Sequence, residues 1–180
     1  RDGARLWVVT FQPDAVDVSA RVGDVDVPLT RLDGDVFAAP LSDKPYLLTM
    51  RYADGSTHST HDPFAFPPVL TDVARYLLGE GTHKELWRVL GAHVTGLDGV
   101  SGTHFAVWAP NAKRVSVIGA FNGWDGRRHP MRPAGETGVW EIFLPGLSEG
   151  ALYKYEVLGA DGSVVHKADP VGFGAEHPPE

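Results

Sequence analysis

Hydrophobic and polar residues alternate along much of this 180-residue chain in short runs rich in Val, Phe, Tyr and Thr. A period of two is typical of strands with one buried face and one exposed face. Dipeptides that favour tight hairpins separate the runs: Asp33-Gly34, Asp54-Gly55, Asn122-Gly123, Asp125-Gly126 and Asp161-Gly162. The pattern predicts an all-β chain made of antiparallel, immunoglobulin-like β-sandwiches.

The strand-and-turn pattern occurs twice. The recurring positions are Phe11 and Trp108, Pro13 and Pro110, Phe37 and Trp140, and the segments 46–66 and 153–173. The offset between the copies grows along the chain, from 97 residues at the prolines to 103 at Phe37 and 107 at Tyr46. Loops that lengthen while strands are kept produce such a drift, because surface connections accept insertions at little cost. We therefore predict two tandem sandwiches, over residues 1–70 and 99–180.

Residues 71–98, between the two copies, are predicted to form a helical connector and a loop. Asp72 is a suitable N-cap for a first helix, which is expected to end at Gly79. Thr82 and Glu85 have the spacing of a capping box, so a second short helix is expected to follow.

Three tryptophans are expected to have structural roles. Trp87 in the second helix is expected to pack the connector against one or both sandwiches. Trp108 and Trp140 lie in strand patterns and correspond to phenylalanines of the first copy, so both are expected in the core. The residues 93–102 are rich in glycine and are expected to form a loop into the second sandwich.

Composition excludes several classes of partner. The net charge is −7 and no cluster of Lys and Arg occurs, which disfavours nucleic acid. No apolar run approaches the roughly 20 residues needed to cross a bilayer, so no membrane partner is expected. The chain has no cysteine and no signal-like first segment, which favours a cytoplasmic location. Both ends of the sequence look cut, and a monomer is expected.

No catalytic or metal centre is predicted. Most of the 23 acidic residues lie in Asp-Gly turns or on alternating strand positions, and no phosphate-binding loop, nucleophile elbow or zinc-protease motif occurs. His58, His61 and Asp62 are a possible metal cluster, but the two histidines are three positions apart and so face opposite sides of a strand. Only the acid recurs in the second copy, as Asp169, which indicates a structural turn instead. No cofactor is expected.

The best binding candidate is the loop 121–128, which separates the second copy from the first. Trp124 lies there between two hairpin dipeptides and is expected at a loop tip. Sugars bind by stacking an apolar ring face on an aromatic side chain while polar groups take the hydroxyls. Asn122 can donate and accept such hydrogen bonds, and Lys154 can donate. The alternative is that Trp124 folds back on the sandwich or packs against a neighbouring domain.

The sequence resembles a known family. Residues 81–93, 105–119 and 121–126 look like the N-terminal part of bacterial glycogen branching enzyme, a 1,4-α-glucan branching enzyme. The second copy resembles the starch/glycogen-binding module of the isoamylase N-terminal type. The resemblance covers nearly the whole chain.

The resemblance implies where the chemistry lies. In that family an Asp nucleophile and a Glu acid/base belong to a C-terminal (β/α)₈ barrel that makes α-1,6 branches, so this segment carries no catalytic residue. It implies α-glucan binding at Trp124 and Lys154. Related modules have a second Trp after the turn at 161–162, where this chain has Ser163, Val164 and Val165. A platform with one tryptophan is expected to bind weakly.

Three functions therefore remain open. The segment binds or positions α-glucan for the barrel, it is only a scaffold for the barrel, or it belongs to another α-glucan enzyme of the debranching or trehalose-forming type.

Overall fold

The computed structural model describes residues 6–41, 46–172 and 174, and the chain divides into two compact units, Arg1–Ala65 and Phe66–Glu180. The predicted connector, 71–98, falls within the second unit. Strands dominate both units, which confirms the all-β prediction. Among the residues that the structure describes, no helix has the length and apolar character that crossing a membrane requires.

The first unit contains two antiparallel sheets. Its strands are β1 (Leu6–Phe11), β2 (Ala15–Val22), β3 (Val25–Pro28), β4 (Thr30–Asp33), β5 (Val36–Leu41), β6 (Leu47–Tyr52) and β7 (Thr57–His61). They pair in the orders β1-β5-β4 and β3-β2-β6-β7, and a 3₁₀ turn, Pro63–Ala65, follows. Alternate residues of both sheets form the core, among them Val8, Phe37 and Leu41 from one sheet and Val18, Leu48 and Met50 from the other.

The second unit has the same two-sheet construction with added helical turns. Its strands are β8 (Gly91–Leu97), β9 (Val100–Trp108), β10 (Ala112–Gly119), β11 (Arg132–Pro133), β12 (Val139–Pro145), β13 (Tyr153–Gly159) and β14 (Val164–Lys167). The helix α1 (Asp72–Gly79) precedes them, and 3₁₀ turns occur at Leu86–Arg88 and Ala120–Asn122. The sheets are β11-β12-β9-β8 and β10-β13-β14. The core between them includes Phe105, Val107 and Ile142 on one side and Val115, Val117 and Tyr155 on the other.

The strand registers repeat with the offsets seen in the sequence. Thr10 pairs with Phe37 and Val18 with Met50 in the first unit, while Val107 pairs with Trp140 and Val115 with Val157 in the second. Corresponding residues are 97, 103 or 107 positions apart, as in the sequence comparison. Since a register is fixed by which side chains face the core, the shared pattern of buried positions accounts for the shared pairing.

A tyrosine–aspartate contact also recurs. The Tyr46 hydroxyl donates to Asp62 at 2.8 Å in the first unit, and the Tyr153 hydroxyl donates to Asp169 at 2.6 Å in the second. In the second unit the Tyr155 hydroxyl also donates to Asp169, at 3.1 Å. Burial, together with the neighbouring carboxylate, raises the pKa of Tyr46 and of Tyr153 above the ordinary value. Both aspartates therefore act as acceptors that fix a turn.

We expect Tyr46→Phe to cost more stability than Tyr153→Phe. The first change leaves a buried carboxylate without this donor, which costs about 1–3 kcal/mol, whereas Asp169 keeps the Tyr155 donor after the second change. Hydrogen exchange of amides in β6 and β13 measures the loss in each unit separately. Equal losses at the two sites would contradict this account.

The segment before β8 covers the outer face of the sheet β11-β12-β9-β8. One Glu141 oxygen accepts the backbone N–H groups of Val69 and Leu70, each at 3.0 Å, and contacts His104 Nε2 at 3.0 Å. Phe66 packs edge-on against Phe143 with ring centroids 4.9 Å apart. Glu141 is only 1% exposed. A buried carboxylate therefore holds this segment on the sheet.

The helical part of the connector differs from its prediction. The N-cap of α1 is Thr71, whose hydroxyl accepts the N–H of Ala74, and Asp72 is the first helical residue. The second predicted helix is wrong: only the 3₁₀ turn Leu86–Arg88 forms, and Glu85 makes no side-chain cap. The chain leaves the turn at Val89 and enters β8 at Gly91, which has φ +101°.

The loop predicted over 93–102 is wrong as well. Strands β8 and β9 form a hairpin there, with Leu97 paired with Val100. Asp98 and Gly99 form its turn with φ of +51° and +79°, which is the signature of a type I′ turn.

Two tryptophans lie at the surface against expectation. Trp108 is 61% exposed, because Phe105 and Val107 face the core and alternation turns Trp108 to the other side. Trp87 is 53% exposed, and the Arg88 guanidinium lies over its ring at 4.9 Å from the ring centroid. Trp140 packs against the core as predicted.

Candidate functional site

The loop after β10 lies over one face of the three-stranded sheet. It begins with the 3₁₀ turn Ala120–Asn122 and continues through Gly123 and Trp124, whose φ values are +66° and +60°. A left-handed backbone is unusual for tryptophan and is kept only where the surroundings enforce it. Here the Trp124 N–H donates to the Gly119 carbonyl at 2.9 Å. The hydrogen bond therefore fixes the backbone from which the indole projects.

Trp124 is 44% exposed, in agreement with its predicted position in a loop. A large aromatic side chain at an ordered turn offers an apolar face that remains accessible to a ligand. More than half of the residue's surface is covered by the protein, and packing on the sandwich or against a neighbouring domain stays the alternative to a ligand-binding role.

Asn122 has a different place from the one predicted. It is 6% exposed, and its side-chain oxygen accepts the Gly119 N–H at 2.9 Å. Its amide nitrogen donates to the Val117 carbonyl and to His129 Nδ1, each at 2.9 Å. Because both ends of the amide are engaged inside the protein, Asn122 cannot offer them to a ligand. It anchors the Trp124 loop to β10.

The far side of the loop rests on β13. Gly126 lies so close to Glu156 that a Cβ at this position would collide with the carboxylate. Glu156 in turn pairs with Arg114 and lies 3.4 Å from His166 Nε2. The Arg127 side chain donates to Asp125 and lowers the pKa of that carboxyl, with a smaller contribution from Arg128. The loop is thus fixed on both sides of Trp124.

Lys154 lies on the same face of the sheet as Glu156, two residues away along β13. It pairs across the ladder with Ile118, next to the Gly119 residue that binds the Trp124 N–H. Its side chain is exposed and forms no ion pair or hydrogen bond with the described residues. The backbone of Lys154 is therefore one pairing away from the residue that holds the Trp124 N–H, and its ammonium group is exposed.

His58, His61 and Asp62 have separate partners. His58 and His61 pair with Met50 and Leu47, respectively, on the ladder between β6 and β7, whereas the Asp62 carboxylate binds the Tyr46 hydroxyl. Within the described residues no group of three His, Cys, Asp or Glu side chains has a geometry suited to a metal ion.

We expect Asn122→Ala to loosen the loop and destabilise the second unit. The change removes three hydrogen bonds and leaves the buried Gly119 N–H without its acceptor, at a cost of about 1–3 kcal/mol. Thermal unfolding measures the loss. Arg127→Ala is the matched control in the same loop, because its pair with Asp125 is at the surface and contributes about 0–1 kcal/mol. Equal effects of the two changes would be inconsistent with an anchoring role of Asn122.

The family match covers part of the second unit, whereas the similar proteins cover nearly the whole chain. Residues 89–172 match carbohydrate-binding module 48, the isoamylase N-terminal domain. The chain is 67% identical over 183 residues to the 1,4-alpha-glucan branching enzyme GlgB of Roseobacter denitrificans, covering 97% of this chain and 25% of that protein. It is 50% identical over 179 residues to the protein of the same name from Nocardia farcinica, covering 96% and 24%. The chain thus spans about a quarter of the length of these relatives.

A solved structure of apo pullulanase from Klebsiella pneumoniae is also similar, with 18% identity and a TM-score of 0.37 over 90% of this chain and 21% of that one. A similarity of this size supports no conclusion about the present chain.

Proposed function

We propose that this chain is a non-catalytic N-terminal segment of a 1,4-α-glucan branching enzyme, because residues 89–172 match carbohydrate-binding module 48 and nearly the whole chain is similar to such enzymes. The parent protein makes α-1,6 branches in glycogen with a C-terminal barrel and acts in the cytoplasm as a monomer. The role of this segment is to bind α-glucan and hold it near the barrel.

What supports the proposal is the position of the two residues: Lys154 pairs with Ile118, the neighbour of Gly119, whose carbonyl accepts the Trp124 N–H. The indole offers an apolar face for a glucose ring, and the ammonium group can donate to a hydroxyl. Val164 is exposed in the stretch where a second tryptophan would broaden the platform. One aromatic ring limits the affinity, which suits a tether more than a tight binding site.

Weak binding is sufficient for this role. A site linked to the catalytic part raises the local concentration of chain ends without forming a tight complex. The neutral hydroxyls of a glucan also suit an acidic chain with a net charge of −7.

Affinity electrophoresis in gels containing glycogen tests the proposal. We expect the intact chain to be retarded as the glycogen concentration rises, and Lys154→Ala to be retarded less. Lys167→Ala is the matched control, because Lys167 is an exposed lysine of the same sheet and pairs with Tyr155, whose side chain faces the core on the opposite side from Lys154. Unchanged mobility of the wild-type chain at all glycogen concentrations would rule out the glucan tether.

One observation favours a second candidate function, that of a scaffold for the parent enzyme. The outward residues of β1, namely Trp7, Val9 and Phe11, form an exposed apolar stripe on the first unit. Such stripes often mark packing surfaces. If the scaffold role holds, Trp7→Ser in the parent enzyme lowers its thermal stability, whereas the same change in this chain alone has little effect.

A further inference from the structure

A second concave surface lies on the module, away from the Trp124 loop. It encloses about 550 Å³ between the end of α1, the end of β9 and the turn before β12. The residues that matter for its chemistry are Trp108, Trp140, Gly138, Glu80 and Glu136. Trp108 and Trp140 belong to the four-stranded sheet, whereas the Trp124 loop follows a strand of the three-stranded sheet. The two surfaces are therefore built on different sheets of the sandwich.

Trp108 is 61% exposed in this groove, and one edge of its indole is confined by a neighbouring glycine. Gly138, with φ +74°, lies directly beside it: a Cβ there would come within 2.7 Å of Pro110 Cβ and 3.1 Å of Trp108 Nε1. The absence of a side chain at Gly138 thus lets the indole edge rest against the turn. Most of the ring remains open, and its N–H has no partner among the described residues.

The other wall of the groove is rigid. Trp140 donates its indole N–H to the Ala109 carbonyl at 3.1 Å and packs against the core. The turn before β12 is closed by the Ala134 N–H, which donates to the Val139 carbonyl, and by the Thr137 hydroxyl, which donates to the Ala134 carbonyl. A groove with such walls is largely formed before a ligand arrives, which lowers the cost of binding.

The polar groups at the rim select the class of ligand. Glu80 and Glu136 are exposed, and within the described part of the chain their carboxylates form neither an ion pair nor a side-chain hydrogen bond. Two carboxylates repel anions and accept hydrogen bonds from hydroxyl groups. Together with an open indole face, they suit a ring that has an apolar side and a rim of hydroxyls.

We propose that this groove is a second saccharide-binding site, which takes a short α-1,4-linked glucose segment with one ring on Trp108 and its hydroxyls on Glu80 and Glu136. The identity of the ligand rests on the proposed function, but the site itself does not involve Trp124 or Lys154. Two linked sites on one module hold a long glucan at two places, so that release from one site leaves the chain bound at the other.

Titration of the intact chain with maltoheptaose, followed by the tryptophan indole N–H resonances, tests the site directly. We expect the Trp108 and Trp124 resonances to shift with separate saturation curves. Trp87 is the internal control, since it is exposed to a similar degree but lies outside both surfaces. In Trp124→Ala the Trp108 shift persists with an unchanged midpoint, and in Trp108→Ala the Trp124 shift does the same.

The outcomes separate the two proposals. A Trp108 resonance that does not move while Trp124 saturates would overturn the second site and leave the proposed function intact. If neither moves, both fail. Acrylamide quenching in the full-length parent tests whether the groove is free in that protein. If Trp108 is shielded from acrylamide there without glucan, the parent chain occupies the groove, and this result would overturn the proposal.

Discussion

Replacing Trp124 by alanine is expected to weaken maltoheptaose binding at the Lys154 surface by about 2 kcal/mol, or roughly 30-fold. The indole is a large aromatic group that is 44% exposed, and the backbone of its turn is held by the Gly119 carbonyl. A glucose ring that loses the stacking surface keeps only the hydrogen bonds to polar neighbours, which compete poorly with water. The shift of the Lys154 backbone amide during titration measures the affinity at this site.

The matched control is Trp87→Ala. It also removes an exposed indole, but from the turn Leu86–Arg88, and should leave the affinity unchanged within twofold. Circular dichroism of both variants checks that the sandwich is intact. Equal affinities of wild type and Trp124→Ala would show that the indole does not carry binding at this surface.

Glu141→Leu is expected to destabilise the second unit by about 3–5 kcal/mol. The substitution removes the acceptor of the Val69 and Leu70 N–H groups and of His104 in a buried place. These donors then have no partner, and the segment that covers the outer face of the sheet loses its attachment. Urea unfolding followed by tryptophan fluorescence measures the loss, because four of the five tryptophans belong to the second unit.

Glu141→Gln distinguishes the charge from the hydrogen bonds. Burial raises the pKa of Glu141, but the bonds from His104 and from the backbone of Leu70 and Val69 together hold it below its ordinary value of 4.5. A carboxyl with a lowered pKa stabilises the fold above the pKa of the unfolded chain, and this contribution is lost as the pH falls through the folded value. Wild type should therefore lose stability in acid more steeply than Glu141→Gln. Parallel acid profiles would contradict a stabilising charged form.

The repeated fold was largely predictable from the sequence, because turns and alternation fix registers. Offsets of 97 and 107 residues reappear in the pairings Val18–Met50 and Val115–Val157. The β8–β9 hairpin was missed although Asp98-Gly99 is as strong a turn signal as the others. The glycines around it weaken the alternating pattern, so that a strand looked like a loop.

The candidate site was predictable only in part. The exposure of Trp124 followed from its place between two turn dipeptides. The burial of Asn122 did not, because a side-chain amide looks the same in sequence whether it binds a ligand or the backbone of its own loop. Glu141 resembled a solvent-facing strand residue, and its burial depends on the segment around Leu70, which alternation within one strand cannot reveal.

Trp108 shows how a comparison of the two copies can mislead. Its match to Phe11 suggested a core position, yet Phe11 is itself exposed. Alternation along β9 from the core residues Phe105 and Val107 places the Trp108 side chain on the face that points away from the core.

A crystal structure of the intact chain with maltoheptaose is the most direct test of glucan binding at the Trp124 loop. The account predicts a glucose ring stacked on the Trp124 indole, with a hydroxyl within hydrogen-bonding distance of the Lys154 ammonium group. An oligosaccharide bound elsewhere on the chain, with the Trp124 surface empty at saturating ligand, would contradict it.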